Sequence, residues 1–274
     1  MKGLIRSDFQ RLFKDKLFLV ICILAVVFAV ITPLLYTVLL GAMDSTAEEL
    51  LAGYVTAKGQ FFSSFSLGNN LGLIAPLLIG IVLFKDFSTG TVRNKIISGH
   101  SRLSIFMSIF TVCAVALFGL ILLHALLTLA ISLPFFEYQA TPFEMADFWY
   151  LLESLLFELL VYLFVAAFVS WLCVSMRNVG TLIVMYVAVV FGCTMVAGIL
   201  QIATLALSMV EGREALVDVL KVIERFNVFN YSSTIGMDTS YTAQDVWYYV
   251  ATPVLFMGAL LGHGIWRFSK KDLK

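Results

Sequence analysis

Apolar and polar positions fall into long blocks along this chain. Uncharged or nearly uncharged stretches cover 17–40, 61–84, 103–136, 149–176, 179–209 and 246–266. At about 1.5 Å of rise per residue, roughly 20 residues cross a hydrocarbon core of about 30 Å. The blocks therefore predict an all-α integral membrane protein with six transmembrane helices in a single transmembrane domain over 1–274. The spans are expected at 17–40, 67–84, 103–127, 149–176, 179–209 and 246–266. Pro33 and Pro253 fall inside spans 1 and 6, and Pro134 marks the stop of a helix that runs past span 3. Three shorter stretches carry helical patterns. Leu4, Ile5, Phe9, Leu12 and Phe13 recur at helical spacing among Lys2, Arg6, Arg11 and Lys14, which predicts an amphipathic helix over 1–16 in the inner interface. Ser45 with Glu48, ahead of Leu50 and Leu51, reads as a capping box on a short outer helix. Leu216, Val219, Leu220, Ile223 and Phe226 share one face of an amphipathic helix, among the small external helices expected between spans 5 and 6.

Composition sharpens this reading. The chain is 61% hydrophobic and only 13% charged, against about 25% charged for a soluble domain. That excludes a large soluble domain, and no basic stripe with stacking aromatics points to nucleic acid; membrane lipid is the expected surrounding. The charges also orient the chain. Of 18 Lys and Arg residues, only Lys58, Arg213, Lys221 and Arg225 fall on the side opposite the basic N-terminus in a six-span reading. By the positive-inside rule both termini and the 85–102 segment are cytoplasmic. Trp149, Trp247, Tyr248, Tyr249 and Trp266 sit near span ends, as interface anchors do. Cys22, Cys113, Cys173 and Cys193 all lie in apolar runs, which argues against a disulfide framework. With His100, His124 and His263 they show no metal-ligand spacing. The first apolar run is too long for a signal peptide and is read as a span.

Candidate chemistry is sparse. The segment FSLGNNLG has glycines but no Lys-Ser or Lys-Thr, so it is no phosphate-binding loop, and neither a zinc-protease His-Glu pair nor a Gly-x-Ser-x-Gly elbow occurs. An enzyme is not expected, and ATP, if used, requires a separate polypeptide. The polar candidates inside spans are His124, Glu153 and Glu158. The two glutamates lie in the first third of span 4, about 140° apart around the helix. They read as solvated or packed groups, or as part of a substrate path or cation contact. The last option keeps open a different class, an ion-coupled secondary transporter or channel using Glu153 and Glu158.

The segment KDFSTGTVRNKIISGHSR, Lys85–Arg102, is the most structured hydrophilic stretch. Asp86 with Ser88 and Thr89 is expected to cap a short helix, with Gly90 as a permissive turn. Gly99 ends that helix and Ser101 starts the next. On these residues the chain resembles the membrane subunit of type-2 ABC transporters, the ABC-2 permease family. Between spans 2 and 3 that family has an acidic residue and Phe, then Gly-Thr, then a short helix ending near an Arg. Asp86, Phe87, Gly90, Thr91 and Arg102 match, with Asp86 where Glu is common. The resemblance implies that these residues, with Arg93, form the contact with a soluble ABC ATPase dimer. It implies a second permease subunit, either a copy of this chain or a related one. It places ATP and Mg in the partner ATPase and no cofactor in this chain. It also implies a bacterial cell membrane and export of an antibiotic, antimicrobial peptide or other amphipathic molecule, as in antibiotic resistance and bacteriocin immunity. The acidic outer residues Glu137, Glu144, Asp147, Asp218 and Asp238 would suit a cationic peptide.

Overall fold

Six helices long and apolar enough to cross a membrane make up most of the computed structural model. It describes residues 2–41, 56–68, 70–139, 141–210, 212–237 and 240–271. The spans are α2 (Lys16–Gly41), α4 (Asn70–Ser88), α6 (Arg102–Ser132), α7 (Met145–Ser175), α8 (Val179–Ser208) and α11 (Ala243–Lys270), called spans 1 to 6 below. The shorter helices are α1 (Lys2–Lys14), α3 (Ala57–Ser63), α5 (Thr91–Ile97), α9 (Glu214–Glu224) and α10 (Val228–Tyr231). No strand occurs among the described residues. The outer helix expected around Ser45 and Glu48 lies outside the described residues.

Span 4 is the axis of the bundle. In its most apolar window 67% of residues are buried, against 22% in span 5 and 17% in span 6. Span 6 packs along it, and spans 2 and 3 close its other sides. Spans 1, 5 and 6 carry apolar faces turned outward, such as Leu19, Ile23 and Val38, or Ile199, Ile202 and Leu255. Such faces suit lipid contact, because a lipid-facing side chain needs no protein partner. Span 1 shows the division clearly: Phe18, Ile21, Ala25 and Ala29 form its buried stripe against spans 2 and 3.

The parity expected from charge is visible in the packing. At one end of the bundle α1, α5, the turn after span 4 and the chain beyond span 6 meet: Arg102 reaches Phe268, and Lys271 reaches Val174. At the other end the start of α3 pairs its backbone with the loop before span 4, through Ala57 N–H to Glu137 O and Lys58 N–H to Tyr138 O.

Several boundaries depart from the sequence reading. Span 2 starts at Asn70, not Leu67, because residues up to 68 belong to α3 and the turn after it. Its helix also continues through Lys85 to Ser88. Asp86 and Phe87 therefore ride on its last turn instead of opening a separate helix. Ser88 and Thr89 do not cap α5 either. Their hydroxyls donate back to Lys85 O at 3.0 and 2.8 Å, satisfying the C-terminal end of span 2. The N-cap of α5 is Gly90, in the left-handed region at φ 74°, which a residue without Cβ adopts at little cost. Gly99, at φ 88°, follows its end. Ser101 caps span 3 through its hydroxyl to Ser104 N–H, as expected.

Candidate functional site

The cytoplasmic end is held by charge. Helix α1 presents Leu4, Asp8 and Leu12 to the protein, at spacing i, i+4, i+8. An acid in the middle of that stripe is buried against span 3, where Ser108 Oγ donates to Asp8 Oδ2 at 2.7 Å. Lys95, on α5, supplies the counter-charge: its Nζ donates to Asp8 Oδ1 at 2.6 Å and to Asp86 Oδ2 at 3.2 Å. Arg11 closes the cluster by meeting the Asp86 carboxylate with both guanidinium nitrogens, Nη1 at 2.8 Å from Oδ2. The side chains of Asp8 and Lys95 are only 2% and 10% exposed. One lysine thus ties α1, the end of span 2 and α5 together, beside span 3.

A second pair lies at the junction of α1 and span 1. Lys85 Nζ donates to Asp15 Oδ2 at 2.7 Å, and the Leu17 amide donates to Asp15 Oδ1 at 2.9 Å. Burial by itself would raise the Asp15 carboxyl. The hydrogen bonds from Lys85 and Leu17, with the lysine charge, outweigh it and hold the group below its ordinary value.

Arg102 serves a different end. Its Nη1 donates to three carbonyl oxygens around the end of span 6, those of Phe268, Ser269 and Lys271, at 2.7, 3.0 and 2.7 Å. Carbonyls in the last turn of a helix lack partners, and a cation there meets both the hydrogen-bond deficit and the negative end of the dipole. Lys271 and Arg267 do the same for span 4, donating to Val174 O and Ser175 O at 2.7 and 3.2 Å. Phe87 packs edge-on against Phe268, with Lys271 Nζ 5.2 Å from its ring centroid.

The matched segment therefore divides in two. Asp86, Phe87 and Arg102 are engaged within the chain. Thr91 is partly covered and Gly90 sits at the turn, while Arg93 faces solvent. Around Arg93 the open face of α5 carries Asn94 and Ile97, with Ser98 and His100 exposed just beyond its end, and Ile97 is 73% exposed. Sequence reasoning missed Asp8, Asp15 and the central place of Lys95. The one available signal was Asp8 itself, an acid on the apolar stripe of a basic helix.

The outer half is built otherwise. Two segments enter the bundle from the outer end as re-entrant arms. The first, 56–68, contains α3, nearly all of it buried against span 3. Ser132 Oγ donates to Gln60 Oε1 at 2.7 Å, and Tyr162 OH of span 4 donates to Phe65 O at 2.7 Å. The second, 226–237, contains α10. Its Phe229 ring meets Phe164 and Phe168 of span 4 at 5.0 and 5.5 Å between centroids. Phe168 lies about 35 Å along span 4 from its outer start, so this arm passes the middle of the bundle. Of the small external helices expected between spans 5 and 6, α9 packs on span 5, whereas α10 departs from the expectation: it is fully buried among spans 4, 5 and 6. The arms touch through a 2.9 Å hydrogen bond between Ser66 Oγ and Ser233 Oγ, and through Phe62 lying over Gly236.

The three intramembrane candidates separate. Glu153 is exposed on span 4. His124 is buried, and its Nδ1–H donates to Ala25 O at 2.9 Å, fastening span 3 to span 1. Glu158 is 0% exposed, and neither carboxylate oxygen has a hydrogen-bond partner. Span 4 begins four residues before the expected Trp149, so Glu158 lies deeper than the sequence suggested, about 20 Å along the helix.

An apolar cavity of about 660 Å³ lies among spans 4, 5 and 6, lined by Phe164, Phe168, Trp171, Val196, Phe226 and Phe256. Two of its polar contacts are internal: Asn227 Nδ2 donates to Cys193 O, and Trp171 Nε1 to His263 Nδ1, both at 2.7 Å, while Asn227 Oδ1 is buried without a hydrogen-bond partner. No protein-family model and no curated protein matches the chain. The chain is a six-span, all-α integral membrane protein, consistent with a membrane permease.

Proposed function

We propose that this chain is the membrane subunit of an ATP-driven exporter of the ABC-2 kind, moved by a separate ATPase that docks on the 85–102 segment. The observation that carries this reading is the two-sided build of α5. Its inner side is clamped through Lys95 to α1 and to the end of span 2, while Arg93, Ile97 and His100 face the cytoplasmic solvent. A large exposed apolar residue beside a cation, outside the lipid-facing spans, suits a protein partner. A displacement of α5 reaches α1 and span 2 through Lys95, and Arg102, just beyond α5, reaches the end of span 6. The partner must favour one arrangement of the spans over another, because equal binding to both moves nothing.

In this reading Asp86 and Arg102 transmit motion and the open face of α5 receives it. ATP and Mg act in the partner, and this chain contributes no catalysis. The cavity among spans 4, 5 and 6 is the apolar part of the substrate path, which suits an amphipathic molecule. Two copies of the chain, or this chain with a related one, complete the pathway.

The test is affinity purification of the tagged chain from its native membranes in mild detergent, with stoichiometry by mass spectrometry. A soluble ATPase is expected at one copy per permease chain. Ile97→Asp with Arg93→Glu should remove it without lowering the melting temperature of the permease. An intact permease that never carries an ATPase, and transport that persists in ATP-depleted, ion-energised vesicles, would overturn the reading.

A further inference from the structure

We propose that Glu158 is a proton-binding site, closed by the 226–237 arm, and that this arm leaves the bundle when the proton is released. Three observations carry this. First, Glu158 is fully enclosed near the middle of span 4, and both carboxylate oxygens lack a hydrogen-bond partner. Second, the residue set against it on the arm is Ser232, whose buried hydroxyl has no partner either and stops short of a hydrogen bond of normal geometry. Third, among the described residues no cation is placed to serve the group. Spans 2, 3 and 6, packed around span 4, carry Lys and Arg only at their cytoplasmic ends, and span 5 has none. Lys58 of the first arm lies over the Tyr150 ring at 4.7 Å. Arg225, ahead of the second arm, pairs with Asp245 at 3.1 Å and lies over Tyr248. The remaining titratable neighbours are phenols, Tyr162 on span 4 and Tyr241 beyond the arm. Tyr162 OH is used by Phe65 O, and Tyr241 OH pairs with Ser154 Oγ at 2.7 Å.

An ionised carboxylate in this setting has no counter-charge, and the one hydroxyl set against it, that of Ser232, makes no hydrogen bond to it. Leaving it bare costs more than neutralising it. The ligand that neutralises a carboxylate without needing further coordination is a proton. A metal cation would need several oxygen ligands converging on the site, and the arm offers one hydroxyl. When the arm withdraws, water reaches Glu158 and the proton leaves, so the closed arrangement binds one proton more than the open one. Low pH then favours the closed arm, and the open-to-closed ratio rises by up to about tenfold per pH unit for one linked proton.

The test uses the full chain, purified without any ATPase and reconstituted in phosphatidylethanolamine–phosphatidylglycerol vesicles. It therefore stands or falls separately from the exporter reading. Infrared spectra should contain a protonated carboxylic-acid carbonyl band at neutral pH. Glu158→Gln should remove it, and Glu153→Gln should leave it. Thiol labelling of Ser233→Cys, read at that position by mass spectrometry, should rise with pH in the native background more steeply than in Glu158→Gln. The ratio of the two should change severalfold across two pH units, and normalising in this way removes the pH dependence of the thiol itself. Absence of the band, its survival in Glu158→Gln, or parallel labelling curves in both backgrounds would overturn the proposal.

Discussion

The two ends of this protein bury carboxylates in opposite ways. At the cytoplasmic end Asp8 and Asp86 share Lys95, and Arg11 completes Asp86. In the outer half Glu158 is more deeply enclosed and has neither a counter-charge nor a hydrogen-bond partner. The first arrangement joins three chain segments through one cation, with span 3 attached through Ser108. Such clusters are poor net stabilisers, since desolvation offsets attraction, but removing one member leaves an uncompensated charge. That makes the cytoplasmic end rigid as a unit, as a part that receives a push must be. The second arrangement is held by aromatic packing and a few hydroxyls, and its carboxyl group is satisfied only when neutral. A segment held this way can leave without stranding an ion pair.

The sharpest way to break this contrast is Lys95→Met. It strands Asp8 and Asp86 together and should cost about 3–5 kcal/mol, read as a lower melting temperature in detergent. Adding Asp8→Asn should recover part of the loss; an unchanged melting temperature in Lys95→Met would show that the cluster is not structural.

Gly236→Ala probes the outer half. The residue sits at φ 82°, and an added Cβ would fall 2.1 Å from the Phe62 ring. Strain and overpacking together should cost about 2–4 kcal/mol and raise labelling of Ser233→Cys as the arms part. Arg102→Ala removes the donor for three carbonyls at the end of span 6 and should cost about 1–3 kcal/mol, with faster amide exchange confined to residues near 268–271.

Asp15 gives a smaller, pH-dependent effect. Its carboxyl lies below its ordinary value when folded. The contribution of the Lys85 contact is therefore full above about pH 5 and is lost as the pH falls through the folded value, below about 4. With the Lys85 side chain 41% exposed, solvent screening limits this to under about 1 kcal/mol. Acid titration of the melting temperature in Asp15→Asn against the native chain reads it. A comparably small effect is expected from Glu158→Gln. It exchanges one neutral group for another of similar shape, and stability at neutral pH should change by no more than about 1 kcal/mol, the lower end of the cost of one added unpaired donor. A loss as large as that of Lys95→Met would mean that Glu158 has an ionic partner after all, and the contrast would fail.

Much of the architecture was readable because lipid enforces it. Apolar length set the six spans, and the cation asymmetry set their direction, since a single apolar segment in hydrocarbon satisfies its own backbone only as a helix and Lys and Arg are depleted from one side. Local turn chemistry was readable too, as Gly90, Gly99 and Ser101 show. The roles of Asp86 and Arg102 were not. Both sit in a hydrophilic stretch whose composition suits an outside partner, but each is used inside the chain by residues distant in sequence, Arg11 and Lys95 for one and the Phe268–Lys271 carbonyls for the other.

By itself the sequence determined a six-span all-α membrane protein, its orientation, and a short helix between spans 2 and 3. Those properties depend on hydrophobic length, charge count and neighbours within a few residues. Only the tertiary structure decided that span 4 is the axis, that Asp8 belongs to a buried charge cluster, that two outer segments turn inward, and that Glu158 is alone. In a chain where most spans are apolar nearly all round, periodicity does not separate lipid from protein as the neighbour. Whether a carboxylate has a counter-ion depends on which distant segment folds against it.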